Sequence, residues 1–354
     1  MNQARPSSEL EKAFDAFPDR DSQGAMKAVW LPRVHSLNIF VFDQCTTLDE
    51  LLQSKDVNDI LDQFSRSIDT RPSFKRYSSY NLLTWINVES ELVISSDYDL
   101  EDIPWKASVL SGFKDLLSSC NCRLSLLKVQ SDLVSTKDLP SKHWMELLDC
   151  WSCHNSEFTV ITNKLNMQTE NLIMPALNTF HIGLDFILAP LENLNLEVLD
   201  IENENVSCHK CRFYIGKHIS NGQDANCMKM YKSSVSLIDR EGFEEEGPSF
   251  IKMFMLQMLE YIESHHTFRF IISSEEGHTE LYLWLVNWQE NICLGSRFRP
   301  IFHFKYLEND VETGDYERIH LPASQYVELL NGFAESRKLL DGIPMLDKMY
   351  SLIL

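Results

Sequence analysis

Positive charge is scarce in this sequence beside negative charge. Its 32 Lys and Arg face 52 Asp and Glu, giving a formal net charge of −20. A field of that sign repels phosphate backbones, which argues against direct electrostatic binding of DNA or RNA. It favours solubility and suits a basic protein partner. Long apolar runs are missing too: none reaches the roughly 18 residues that a membrane span needs. The opening Met1-Asn2-Gln3-Ala4-Arg5-Pro6 leads into no apolar stretch of the secretory kind. A soluble intracellular protein without a membrane partner is the expectation. Gly and Pro are scarce at 12 each, and there is no internal repeat or low-complexity tract. The sequence also lacks a Gly-rich phosphate loop, a G-x-S-x-G elbow and an H-E-x-x-H helix, so the common phosphoryl-transfer, serine-hydrolase and metalloprotease signatures are absent.

What is present is the composition of a folded globular protein. Hydrophobic residues make up 44% and aromatic residues 11% of a 354-residue chain, with 20 Phe to fill a core. That length accommodates two domains. The alternation of Leu37, Ile39 and Val41 within Val29–Asp43 predicts a half-buried strand. Thr46–Ser67 carries helical spacing behind a threonine N-cap. Strands are expected over Asn81–Ile94, Lys106–Phe113, Leu124–Val129, Phe180–Ile187, Leu194–Ile201, Phe213–Ile219 and Ser233–Ile238. Leu139-Pro140-Ser141 opens a helix that runs to Trp151, with Pro140 near its first turn.

Gly242–Gly247 reads as a loop and a domain boundary. Pro248–Glu263 is apolar around nearly its whole circumference and should be a buried helix, capped at its C-terminal end by His265-His266. Strands follow at Phe268–Ser273, Thr279–Trp288 and Phe298–Lys305, with Leu281, Leu283 and Leu285 as a core stripe. Helices are expected at Pro322–Glu335 and, interrupted by Asp341-Gly342-Ile343-Pro344, at Leu339–Leu354. The fold class is therefore α+β and strand-rich, with two lobes of antiparallel sheet, packed helices and a zinc knuckle. Its divisions are a weakly ordered arm over 1–24, a strand-rich lobe with the cysteine pairs over 25–241, and an α+β lobe over 242–354.

Of nine cysteines, six fall in close pairs, and without a secretory signal disulfides are not expected. Thiolates presented from tight turns are the usual protein source of a tetrahedral zinc site. Cys208-His209-Lys210-Cys211 is a C-x-x-C with Gly216 shortly beyond it, and supplies half a site. Cys150-Trp151-Ser152-Cys153 is the second C-x-x-C, so the preferred ligands of a structural Zn2+ are Cys150, Cys153, Cys208 and Cys211. His154 in place of Cys150, or a set drawing on the tighter Cys120-Asn121-Cys122, is the alternative. The two pairs are far apart in sequence, which makes the site a staple between distant segments. Cys45, Cys227 and Cys293 read as buried core, as do Cys120 and Cys122 outside that alternative set. A catalytic thiolate needs a base, cation or helix N-terminus to lower its pKa. Cys153 beside His154 invites that reading, but neighbours at a helix end point in different directions.

Three motifs together carry a resemblance. Leu139-Pro140-Ser141 with Trp144 and Trp151-Ser152-Cys153-His154, then Cys208-His209-Lys210-Cys211 with Gly216, resemble the cysteine blocks of the HECT-like, ubiquitin-conjugating-enzyme-binding ubiquitin ligases. Leu31-Pro32-Arg33 and Leu283-Trp284-Leu285-Val286-Asn287 resemble that family's terminal strand motifs, and the likeness spans roughly residues 28–335. It implies a ubiquitin-conjugating enzyme as partner and, for fungal members, a link to messenger-RNA 3′-end processing, with action in nucleus and cytoplasm. The expected function is thus docking on the cleavage and polyadenylation machinery, in particular its endonuclease. The alternative is a ubiquitin ligase that promotes ubiquitin transfer. Ser152 stands where some members carry a cysteine, so a thioester ligase with its nucleophile in this block would have to use Cys153.

Overall fold

The computed structural model describes residues 26–31, 36–41, 73–80, 83–89, 105–110, 112–128, 134–139, 174–220, 226–275, 280–294, 297–307, 316–340 and 349–353. In chain order these begin with strands β1 (Met26–Leu31), β2 (Ser36–Val41), β3 (Ser73–Tyr80) and β4 (Leu83–Glu89). A one-turn helix α1 (Ala107–Leu110) precedes β5 (Phe113–Ser118), β6 (Ser135–Asp138), β7 (Thr179–Ile182) and β8 (Phe186–Pro190). Then come β9 (Leu199–Glu202), β10 (Asn205–Cys208), β11 (Tyr214–Ser220), β12 (Asn226–Tyr231), β13 (Val235–Asp239) and β14 (Glu244–Glu246). Helix α2 (Phe250–His265) is followed by β15 (Arg269–Ser274), β16 (Glu280–Leu294), β17 (Arg297–Tyr306) and β18 (Glu317–Leu321). Helix α3 (Ala323–Leu340) and β19 (Tyr350–Ile353) complete the set. The protein is strand-rich with few helices, and no described helix is long and apolar enough to cross a membrane.

The chain divides into two compact units, residues 1–99 with 267–354 and residues 100–266. The first unit draws on sequence either side of the second, because β1–β4 and β15–β19 belong to one sheet. β1 pairs antiparallel with β16, Ala28 opposite Cys293, a contact that local periodicity does not encode. The sheet runs β18-β15-β16-β1-β2-β4-β3, with β17 on β16 and β19 on β17. Its pairings are antiparallel except for β15 with β18, which is parallel. Leu281, Leu283 and Leu285 alternate inward as expected, while Trp284 and Val286 face out. Helix α3 packs on β19, and Phe333 meets Phe304 edge-on with ring centres 5.6 Å apart.

One polar tie crosses this core. His303 on β17 holds Glu290 Oε2 through Nε2 at 2.7 Å and Ser351 Oγ through Nδ1 at 2.7 Å. The three side chains stand on adjacent strands, with His303 and Ser351 directly opposite in register. All three are buried. The atoms are those of a hydrolase relay, but enclosed in a sheet they join strands rather than meet a substrate.

The second unit holds two sheets. Seven strands run β6-β7-β8-β12-β11-β10-β9, and three run β14-β13-β5. A shared core lies among them, including Trp105, Phe113, Leu116, Phe180, Val206 and Val235. Ser249 caps helix α2 by accepting from the Lys252 N–H at 3.2 Å, and His266 ends it in left-handed conformation with its N–H on the Ile262 carbonyl.

Several expectations shift. The single strand read over 29–43 is two strands, with Pro32 between them. Lys106–Phe113 is a short helix followed by the start of β5. Asp138 draws it out of extended form by accepting from the Ala107 N–H at 2.7 Å. In the range expected as a strand over Leu124–Val129, Ser125 and Leu127 make isolated bridges, to Leu117 and Leu194, and the described residues 124–128 form no strand. The 242–247 loop contains β14, the return strand of a hairpin. The C-terminal residues 350–353 are strand, not helix, because Ser351 and Leu352 fit into the sheet beside β17. The helices expected at 46–67 and 139–151 lie outside the described residues.

Candidate metal centre

Two turns bring four thiols together. The first closes β5: the Ser118 N–H donates to the Leu124 carbonyl at 3.0 Å, and the Arg123 N–H donates to the Cys120 carbonyl at 3.0 Å. Ser118 also accepts from the Leu124 N–H through its hydroxyl at 3.0 Å, locking the chain into a reversal that presents Cys120 and Cys122. The second turn links β10 to β11. There the Cys208 N–H donates to the Phe213 carbonyl and the Arg212 N–H to the Cys208 carbonyl, each at 2.9 Å. The residue after each second cysteine, Arg123 or Arg212, has a positive φ, which lets so short a segment turn back on itself.

Gly216 supports the second turn. A Cβ there would lie 1.8 Å from the Lys229 carbonyl oxygen, so only glycine lets β11 approach β12 this closely. Just before the turn, the β10–β11 register shifts between Val206 and Ser207, while Cys208 stays paired with Leu199 on β9.

The sulfurs of Cys120, Cys122, Cys208 and Cys211 all lie within 4.8 Å of one another. Four thiolates about 2.3 Å from a tetrahedral ion stand ~3.8 Å apart, so a small contraction of this cluster would seat such an ion. Cys120 and Cys208 are buried at 7% and 0% exposure, Cys122 is half-buried and Cys211 is exposed. The site therefore has an anchored floor and a mouth open to solvent. Donor chemistry fits a soft metal, because the cluster offers four sulfurs.

Crowding moves these thiols in opposite directions. Burial works to raise the Cys120 thiol, but hydrogen bonding with Ser118, the Cys122 backbone and the neighbouring Cys211 and Cys208 brings it down to about 7. Cys122 is pushed up to about 12, first by its hydrogen bond with Cys211 and then by burial and the nearby Cys208. At Cys211 the Phe213 backbone favours the thiolate, yet burial and the Cys120 and Cys208 thiols outweigh it and raise the pKa. Crowded thiols thus share protons among themselves, and a cation displaces those protons. Around the rim, Asp200 accepts from His209 at 2.9 Å and pairs with Arg212 at 2.6 Å. The His209 hydrogen bond, followed by the Arg212 charge, keeps Asp200 below the usual carboxylate range. Arg123 pairs with Glu244.

The structure thus brings Cys208 and Cys211 together with Cys120 and Cys122, the pair that sequence reading held in reserve. Cys150, Cys153 and His154, and with them the preferred ligand set and the thioester candidate, lie outside the described residues. Among the described cysteines outside the cluster, Cys227 is buried beside Leu188 and Ile219, with its thiol 3.5 Å from the Met174 sulfur. The signal that pointed to Cys120 and Cys122 was their spacing alone.

Comparison with known proteins places this chain in a family. The family model described as HECT-like ubiquitin-conjugating enzyme (E2)-binding matches residues 57–340. An uncharacterized protein of Schizosaccharomyces pombe is 28% identical over 183 residues, covering 51% of each chain. An uncharacterized protein of Saccharomyces cerevisiae is 26% identical over 223 residues, covering 59% of this chain and 62% of its own. A mouse protein named as an E3 ubiquitin-protein ligase is 27% identical over 186 residues, covering 51% of this chain and 46% of its own. The chain therefore spans about half of the length of most of these relatives. No solved structure matches. The chain belongs to the HECT-like ubiquitin-conjugating-enzyme-binding family.

Proposed function

We propose that this chain is a ubiquitin-ligase adaptor: it binds a ubiquitin-conjugating enzyme, promotes ubiquitin transfer from it, and holds one structural Zn2+ on Cys120, Cys122, Cys208 and Cys211. The observation that carries the reading is the family match over residues 57–340, and the mouse relative named as a ubiquitin ligase supports it. Docking on the 3′-end processing endonuclease, the function first expected, draws no support from the relatives' descriptions. The ubiquitin reading takes its place. Action in nucleus and cytoplasm belongs to the same proposal.

Four protein thiolates would fill a tetrahedral ion's coordination shell, leaving no open position for a substrate or water. The metal's part is therefore structural. Cys120 follows β5 of the three-stranded sheet and Cys208 ends β10 of the seven-stranded sheet, so shared ligation ties the two sheets of one unit together.

Adaptor chemistry fits the described cysteines better than thioester chemistry. A thioester acceptor must be an accessible thiolate. Four described cysteines are gathered as ligands and Cys227 is enclosed. The conjugating enzyme would then keep the reactive thioester while this chain orients it. A single-turnover assay tests this: charged conjugating enzyme is mixed with the full chain and followed on non-reducing gels. Faster loss of the charged enzyme, with no reducible ubiquitin adduct on this chain, is expected, and Cys153→Ser should leave the rate unchanged. A reducible adduct that vanishes in Cys153→Ser would replace the adaptor by a thioester ligase. No acceleration with any conjugating enzyme would end the reading.

A further inference from the structure

The hairpin made by β13 and β14 ends in a bulky apolar side chain that stands in solvent. Phe243 is 69% exposed, the largest exposure of any bulky hydrophobic residue among the described residues. A phenyl ring left in water forgoes the stabilisation that burial would give. The backbone holds it there. The Phe243 N–H donates to the Asp239 carboxylate at 2.8 Å, the Asp239 N–H donates to the Phe243 carbonyl at 2.9 Å, and the Gly242 N–H donates to the Asp239 carbonyl at 3.1 Å. Gly242 has φ 90°, a conformation that other residues rarely adopt, so the turn is specified by sequence.

The hairpin that carries the ring is acidic. Between Asp239 and Glu246 the hairpin carries five carboxylates and one guanidinium. Glu245 accepts from the Trp105 indole at 2.8 Å and Glu244 pairs with Arg123, which fixes the base of the hairpin to the core and to the cysteine turn. Glu241 and Glu246 are exposed on the same hairpin. β14 is also the last strand of its sheet, with three consecutive glutamates along it. Such an edge repels a second copy of itself, as well as nucleic acid and anionic lipid. What it fits is a basic protein face with an apolar recess for one aromatic ring, since a rigid aromatic anchor ringed by complementary charge is how interface hot spots are built.

We propose that the Phe243 hairpin is the docking element for a ubiquitin-conjugating enzyme, with Phe243 as anchor and Glu241 and Glu246 pairing with lysines or arginines of that enzyme. This rests on the adaptor reading above. The hairpin reaches back to the metal turn through Glu244 and Arg123, so metal ligation would stiffen the element that meets the partner.

The test measures affinity of the full chain for each of a panel of purified ubiquitin-conjugating enzymes, taking the tightest binder forward. Phe243→Ala should weaken that binding at least tenfold, and Glu241→Lys with Glu246→Lys should weaken it further and flatten its salt dependence. Because Phe243 and both glutamates are exposed, the thermal unfolding curves of these variants should match wild type. A photo-cross-linking amino acid at position 243 should join to the enzyme. Wild-type binding that survives both variants unchanged, with no cross-link from 243, overturns the hairpin and leaves the adaptor reading standing. Wild type binding no enzyme of the panel overturns both.

Discussion

Arg123 and Arg212 occupy the same place in two different turns: each follows the second cysteine of its pair, and each has left-handed backbone, with φ 47° and 62°. Glycine is the usual resident of such a position, because a side chain there costs roughly 1–2 kcal/mol. Each arginine instead turns its guanidinium to a carboxylate beside the site, Arg123 to Glu244 and Arg212 to Asp200 and Glu202. The two half-sites thus share a design: cysteine pair, left-handed arginine, acidic partner.

Arg212→Gly and Arg212→Val separate conformation from charge. Both lose the pairs with Asp200 and Glu202, which at 61% exposure of the arginine side chain contribute little. Gly recovers the backbone cost, whereas a β-branched residue is poorly tolerated at positive φ. Denaturant unfolding should place Arg212→Gly within about 1 kcal/mol of wild type and Arg212→Val about 1–2 kcal/mol below it. Equal losses in the two variants would mean that the ion pairs, not the turn, set stability here.

How much of this was readable in sequence depends on distance along the chain. Cys208, Cys211 and Gly216 announced their turn locally, and the apolar circumference of Phe250–His265 announced a buried helix. Leu281, Leu283 and Leu285 announced a sheet core through alternation. The other half of the cysteine cluster was harder, because Cys120-Asn121-Cys122 is one residue shorter than the usual spacing. What qualifies it is the meeting of the β5 turn with the β10–β11 turn. That meeting depends on two sheets sharing a core around Phe113, Leu116 and Val206, which no local pattern expresses. The same holds for β1 beside β16, and for β14, whose glutamates read as a loop until paired with Ser236, Leu237 and Ile238.

Lys232 gives the protein a pH signature. It is fully buried, with Nζ donating to the Leu184 carbonyl at 2.9 Å. Burial lowers its pKa from 10.5 to about 8, although the Asp185 and Asp138 charges pull the other way. Below about pH 8 both folded and unfolded chains carry the proton, and the folded chain bears the cost of a buried cation. Between that value and the ordinary lysine range the unfolded chain binds more protons, so this residue's contribution to stability rises with pH. Lys232→Met lacks the proton altogether. The stability difference between wild type and Lys232→Met should therefore shift toward wild type by about 1–3 kcal/mol as pH climbs through that window. A difference that stays constant in paired urea titrations would refute the assignment.

The ligand set can be decided by exchanging one cysteine at a time and counting metal. With Cys120, Cys122, Cys208 and Cys211 as ligands, the purified chain should carry one zinc per molecule by elemental mass spectrometry. Cys122→Ser and Cys208→Ser should each lose it, whereas Cys150→Ser and Cys153→Ser should retain it. Structural zinc contributes on the order of 10 kcal/mol to small metal peptides. A unit with its own core should instead lose cooperative protection locally. Hydrogen exchange would rise in both turns at once, residues 118–126 and 207–214, whichever cysteine is replaced, because a shared ion couples them. Zinc lost from Cys150→Ser or Cys153→Ser but kept in Cys122→Ser would assign the second half of the site to the 150–153 pair. Two turns loosening independently would mean that no ion joins the sheets.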